Sequence, residues 1–265
     1  MTTSFLDRGE GRIAYEVQGD GPLVVLLPGM GVDRSVYRFT VPALVAAGFR
    51  VAPMDLRGHG ESDTTFATYD DPAAASDALA LVDHIGGPAL LVGNSMGAGA
   101  AVIAAARRPS AVAGTVLIGP WVRDSGGALA DLLMRALLLR PWGPAAWRSY
   151  YRSLYPTRRP ADFADHERRM GASLRRKWRA FARTARTSHT PARDRLADVA
   201  APTLVVMGTK DRDWPDPAGE ARFVAGALHA ELVLVDGAGH YPMAEFPEIV
   251  NPPLVAFARR VLTRG

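Results

Sequence analysis

Short apolar runs alternate with longer stretches of helical spacing along most of this chain. Residues 23–27, 50–54, 89–92 and 115–118 are near-continuous apolar runs, the pattern of strands buried on both faces. Between them, 33–47, 72–85 and 95–107 combine helical length and apolar spacing with many alanines, and they read as crossover helices. This alternation predicts a parallel sheet with helices on both faces. After Pro120 the rhythm breaks. Residues 128–185 give helix-like pieces interrupted by Pro141, Pro144, Pro156 and Pro160, without a clear strand. Strands then return at 203–207 and 231–235, with helices at 217–226 and 247–262. The chain reads as one α/β core, 1–120 plus 194–265, split in sequence by an inserted helical cap at 121–193.

With 48% hydrophobic against 22% charged residues, the 265-residue chain has the composition of a soluble globular protein. It contains no cysteine, which excludes a disulfide framework, a thiol nucleophile and a thiolate metal site. The first ten residues lack a basic start followed by an apolar run, and no stretch of about 18 apolar residues occurs. A cytoplasmic protein without stable membrane insertion is expected. The net charge of +4 hides an asymmetry: 121–193 holds 16 Lys+Arg against 5 Asp+Glu, and the remainder 15 against 22. Such a basic segment either draws anionic substrates or presents solvated arginines whose stems cover apolar surface.

Residues 90–101 run from a buried strand through a tight turn into a helix of small residues, with Gly93, Ser95 and Gly97 in the spacing G-x-S-x-G. In that context the pattern marks a nucleophile elbow, and Ser95 is the candidate nucleophile. Neither G-x-G-x-x-G nor the phosphate-binding G-x-x-x-x-G-K-[ST] occurs to support a nucleotide cradle. A serine hydroxyl needs a base, usually a histidine held in one tautomer by a carboxylate. His240 follows the last strand, on the edge of the sheet where ligands bind. Asp211 follows the strand at 203–207, and the order Ser, Asp, His suits this type of site. Asp213, Asp216 and Asp124 are alternative acids. His59 precedes the serine and reads as structural, and His84, His166, His189 and His229 are placed less well. Two oxyanion donors are needed. The backbone N–H of Met96 is one candidate, and that of Met30, in the glycine-containing loop after the first buried strand, is the other.

Together, L-P-G-M-G at 27–31, D-L-R-G-H-G-E-S at 55–62, G-N-S-M-G at 93–97, G-T-K-D at 208–211 and G-A-G-H at 237–240 resemble the α/β-hydrolase superfamily over nearly the whole chain. The resemblance implies an eight-stranded, mostly parallel sheet, a helical cap over the catalytic face, and neither a metal nor an organic cofactor. Pro28 stands where the family's oxyanion loop often has histidine, which leaves the backbone donor and removes a polar side chain. Ser95, in place of an elbow aspartate, argues against dehalogenase and epoxide-hydrolase activity. G-N-S-M-G is similar to the elbow of carbon-carbon bond hydrolases that cleave ring-fission diketones, and esterases carry close variants. The expectation is a serine hydrolase that cleaves a small carboxylic ester or related acyl compound through an acyl-enzyme. A carbon-carbon bond hydrolase and a hydrolase-fold small-ligand receptor are the alternatives. The expected partner is a small molecule, apolar or anionic, and not nucleic acid, since a surface-binding role rests only on the arginines.

Overall fold

The computed structural model describes residues 2–124, 136, 138 and 141–262. Strands β1 (Ser4–Asp7) and β2 (Arg12–Tyr15) pair as an antiparallel ribbon. The other six, β3 (Leu23–Leu27), β4 (Arg50–Pro53), β5 (Ala89–Asn94), β6 (Val112–Ile118), β7 (Thr203–Gly208) and β8 (Glu231–Val235), form a parallel sheet in the order β4-β3-β5-β6-β7-β8. The eight strands expected in one sheet are thus divided six and two. Isolated bridges, Tyr15 to Met54 and Gln18 to Val51, connect β2 and the segment after it to β4 before the chain turns at Gly19 and Gly21, both with positive φ.

Every residue of β3 and β5 is buried, which explains their unbroken apolar runs. The stretch expected as one helix at 33–47 divides into a 3-10 turn, Arg34–Tyr37, and helix α1 (Thr40–Ala46). α2 (Asp71–Ile85) starts where the Asp70 side chain accepts the Ala73 N–H and Pro72 occupies the first turn. α3 (Met96–Arg107) follows β5 directly. Between β6 and β7 the described residues form helices and no strand: α4 (Gly143–Ser153), α5 (Phe163–Arg176), α6 (Trp178–Thr184) and α7 (Thr190–Arg193). The part of the expected helical run on 128–135, 137, 139 and 140 lies outside the described residues. α8 (Pro217–Ala227), α9 (Pro242–Glu245) and α10 (Pro247–Leu262) complete the chain. α2, α3 and α8 pack into the core on one face of the sheet, α1 and α10 on the other.

The chain leaves β3 for β4 on one side and returns for β5 on the other. In such a sheet the crevice at the strands' carboxyl ends, where the order reverses, is the natural ligand site. The inserted helices stand over it. Trp147, Leu174, Trp178 and Phe181 make a small apolar cluster with Leu138, and Met30 from the loop after β3 packs against it. Among the described residues no helix is long and apolar enough to cross a membrane.

Candidate active site

β5 ends at Asn94 and α3 begins at Met96, so one residue makes the whole turn. That residue, Ser95, has φ 56° and ψ −123°, in the left-handed range that costs a residue with a Cβ about 1–2 kcal/mol. The surroundings hold it there. Its N–H donates to the Ile118 carbonyl (3.0 Å), and its own carbonyl accepts from Ala98 N–H (2.9 Å) and Trp121 N–H (3.3 Å). A Cβ on Gly97 would lie 2.4 Å from the Leu27 oxygen, and one on Gly93 2.2 Å from the Gly97 oxygen, so both positions require glycine. The neighbouring Asn94 Nδ2 donates to the Ile118 carbonyl (3.0 Å) and to the His240 carbonyl (3.2 Å), tying the β8 loop to the serine turn.

His240 Nδ1 lies 2.7 Å from Asp211 Oδ2, and both side chains are buried. With the proton on Nδ1 and donated to Asp211, Nε2 keeps a lone pair for a proton from a nucleophile. Burial alone would weaken the imidazole as a base, but the charges of Asp211 and Asp213 outweigh it and raise its pKa to about 9. Asp213 is the second carboxylate here: Oδ2 sits 3.4 Å from His240 Nδ1, Oδ1 accepts the Tyr150 hydroxyl, and its backbone N–H donates to Asp211 Oδ1 (3.1 Å). The other candidate acids lie elsewhere. Asp216 caps α8 at Gly219 N–H, and Asp124 accepts the His189 N–H (2.7 Å) and the Ser188 hydroxyl.

Met96 N–H points out of the first turn of α3, and Met30 N–H lies in the loop after β3. Among the described residues neither has an acceptor. The Met30 loop is wedged between the serine and the insertion: a Cβ on Gly29 would lie 2.9 Å from Ser95 Cβ, and one on Gly31, at φ +77°, 2.3 Å from the Trp147 ring. Gly31 N–H donates to His59 Nε2 (3.0 Å), while His59 Nδ1 donates to the Arg57 carbonyl (2.9 Å). Burial lowers the His59 pKa to about 4, so the ring stays neutral and can accept. His59 is therefore structural in a specific sense: it holds the loop that carries Met30. The pattern D-L-R-G-H-G-E-S contained the signal, because β3 and β4 are adjacent and their loops must touch. Tyr150 lies on the insertion, and no local signal marked it.

Asp211, Asp213 and His240 also form a set whose ligand atoms lie within 4.8 Å of one another, compact enough for a metal ion. The Nδ1 proton is already shared with Asp211, so the cluster is built to hold a proton. A serine on a strained turn, a buried imidazole–carboxylate pair tied to that turn through Asn94, and two backbone N–H groups without acceptors among the described residues are the kinds of part that nucleophilic acyl transfer uses.

The sequence profile of the Alpha/beta hydrolase family matches residues 24–252. The chain belongs to that family. It is a hydrolase, similar over 263 residues to a RutD protein of Variovorax paradoxus named as a carbamate hydrolase (29% identical, 95% of this chain and 97% of the relative). It is also similar to the 2-hydroxy-6-oxononadienedioate/2-hydroxy-6-oxononatrienedioate hydrolase of Paraburkholderia xenovorans (29%, 94% and 91%). Among solved structures, a thermophilic esterase from Thermogutta terrifontis superimposes with a TM-score of 0.79 at 26% identity, covering 99% of this hydrolase and 100% of the esterase.

Proposed function

We propose that this hydrolase cleaves a small carboxylic ester or related acyl compound through an acyl-enzyme, with Ser95 as nucleophile, His240 as base and Asp211 as the acid that orients it. One observation carries the reading. The strained Ser95 turn and the loop that carries the His240–Asp211 pair are joined through Asn94, which supports the serine and the histidine acting together. Ser95 Oγ attacks the acyl carbon as its proton passes to His240 Nε2. The oxyanion that forms meets the N–H groups of Met30 and Met96, and the histidine returns the proton to the leaving alkoxide. Water then repeats the sequence on the acyl-enzyme. Residues 121–193 act as the cap, with Trp147 covering the Met30 loop.

The similarity to the Thermogutta esterase supports an ester substrate. The Paraburkholderia relative, whose named substrates are dioates, supports a second reading: carbon-carbon bond cleavage in a ring-fission diketone by the same groups. Ser95→Ala tests the shared core. The rate should fall by about three to six orders of magnitude with the fold unchanged. A fluorophosphonate adduct on a residue other than Ser95 would refute the assignment. Turnover of p-nitrophenyl esters beside a ring-fission dienol separates the two substrate classes.

A further inference from the structure

Two carboxylates face one nitrogen in this site. A neutral imidazole has a single Nδ1–H, and at 2.7 Å against 3.4 Å that proton belongs to Asp211. Asp213 is left as a second negative neighbour, and its other oxygen is held from the cap by the Tyr150 hydroxyl. We propose, on the reading of Ser95 and His240 given above, that Asp213 is a positioning residue through which the cap, by way of Tyr150, sets how strongly His240 holds its proton.

The geometry connects the parts in one line. The Asp213 N–H bond to Asp211 Oδ1 locks both carboxylates into one turn of the β7 loop. Tyr150 packs on Trp147 (5.3 Å between ring centroids), so α4 touches the acid loop with one aromatic residue and the Met30 loop with the next. The remaining groups around this cluster do not compensate for Asp213. Tyr241 lies edge-on to the His240 ring (5.1 Å) and is held neutral by burial. The Trp121 indole N–H faces Asp213 and favours its charged form, as the Tyr150 hydroxyl does, but carries no charge of its own to the histidine. Arg212, on the acid loop, is exposed and acts toward Tyr150.

Burial, with the adjacent charge of Asp211, drives Asp213 toward its protonated form, while the imidazolium of His240 and the hydrogen bond from Tyr150 favour the carboxylate. A docked Tyr150 thus keeps charge on Asp213, and that charge stabilises the imidazolium that forms when Ser95 gives up its proton. Without the Tyr150 hydroxyl, Asp213 takes up a proton more readily and His240 becomes a weaker base. The contact of α4 with the acid loop and the strength of the base are then linked.

The test needs no natural substrate. Phosphonylation by a fluorophosphonate probe forms the Ser95 Oγ–P bond and breaks P–F; fluoride leaves, and the serine proton passes to His240. Its second-order rate, followed from pH 5.5 to 10.5 on the full chain, reads the basicity of His240 directly. Wild type should show a limb centred near 9. Tyr150→Phe and Asp213→Asn should both move the limb down, toward the free-imidazole value of 6.5. Each unit of that shift raises the share of neutral imidazole at pH 7 about tenfold, and the weaker base lowers the plateau at high pH, so the curves cross. The double variant should move no further than Asp213→Asn. If the variants scale the rate without moving the limb, or if their shifts add, the proposal is overturned while the Ser95 assignment stands. Should Asp213→Asn fail to fold, Tyr150→Phe gives the same decision alone. Wild type that is not labelled at Ser95 overturns both.

Discussion

Replacing His59 with phenylalanine asks whether the Met30 loop is held for catalysis or only for folding. Phenylalanine keeps a planar aromatic ring and the edge contact with Phe181 (6.2 Å, 77°) but deletes the acceptor of the Gly31 N–H. A buried N–H left without a partner costs about 1–3 kcal/mol. The resting protein can escape that cost by turning the peptide, because it has no oxyanion to lose. Loss of this tether also lets the loop shift, which moves the Met30 N–H of the preceding peptide out of line, and the penalty then appears in the transition state, where one lost oxyanion donor is worth roughly 10²–10³ in rate, about 2.7–4 kcal/mol. Stability should therefore drop by less than about 3 kcal/mol while kcat falls and KM changes little. Urea titration and steady-state kinetics on a p-nitrophenyl ester measure the two halves. If kcat stays within about threefold, under 1 kcal/mol, while stability falls, His59 supports the fold alone and the loop argument is wrong.

Asp71 and His189 form a second buried carboxylate–imidazole pair, 2.8 Å apart, that fastens the end of the cap to the start of α2; Asp71→Ala should cost about 1–3 kcal/mol in urea titration, and a negligible loss would show that the pair does not fasten the cap. The folded-state pKa of His240, about 9, lies above its ordinary 6.5, so its pairing with Asp211 gives stability that is complete below about 6.5 and lost as pH rises through 9. Thermal melts should accordingly fall more steeply across that window in wild type than in His240→Gln, and parallel curves would count against the pair. Several cap arginines are paired, Arg123 with Glu220, Arg148 and Arg152 with Glu167, and Arg158 with Glu248, whereas an open groove of about 780 Å³ beside Trp178 is lined by Arg176, Lys177, Arg179, Arg183 and Arg186 with no carboxylate among its lining residues. If this charge draws substrate, an ω-carboxylate ester should exceed its neutral analogue in kcat/KM by about tenfold at low salt and lose the advantage as salt screens it. An advantage that is absent, or insensitive to salt, assigns these arginines to the solvated surface.

The six parallel strands were legible because five of them are largely buried on both faces, while β8, more exposed, keeps an apolar run between helical stretches. β1 was not legible. Three of its four residues are exposed, so neither alternation nor a continuous run marks it. The local motifs put Ser95, Asp211 and His240 after β5, β7 and β8 and favoured Asp211 by place and order, but spacing left Asp213 open as an alternative. The choice between them depends on how one loop turn presents two carboxylates to a nitrogen, a matter of 2.7 against 3.4 Å. The count of basic residues in the cap likewise held no information on which arginines find partners, since Glu167 is brought to Arg148 and Arg152 by helix packing, and Glu220 and Glu248 come from beyond the insertion.

The hydrogen bond from Asn94 to the His240 carbonyl joins residues 146 positions apart. On a ribosome the two ends of that bond emerge at different times. Once β6 is available, the Ser95 N–H has its acceptor and the serine turn can be completed, yet its proposed partners, Asp211 and His240, have still to be translated. Domains can begin to fold while synthesis continues. A nascent chain that has gathered β3 to β6 holds a shaped but inert serine, and reactivity arrives only when β7 and β8 add to the open edge of the sheet. With the roles proposed for Ser95, Asp211 and His240, hydrolytic competence would report that the C-terminal third has been made and docked, and an interrupted chain would be silent however well its first half is folded.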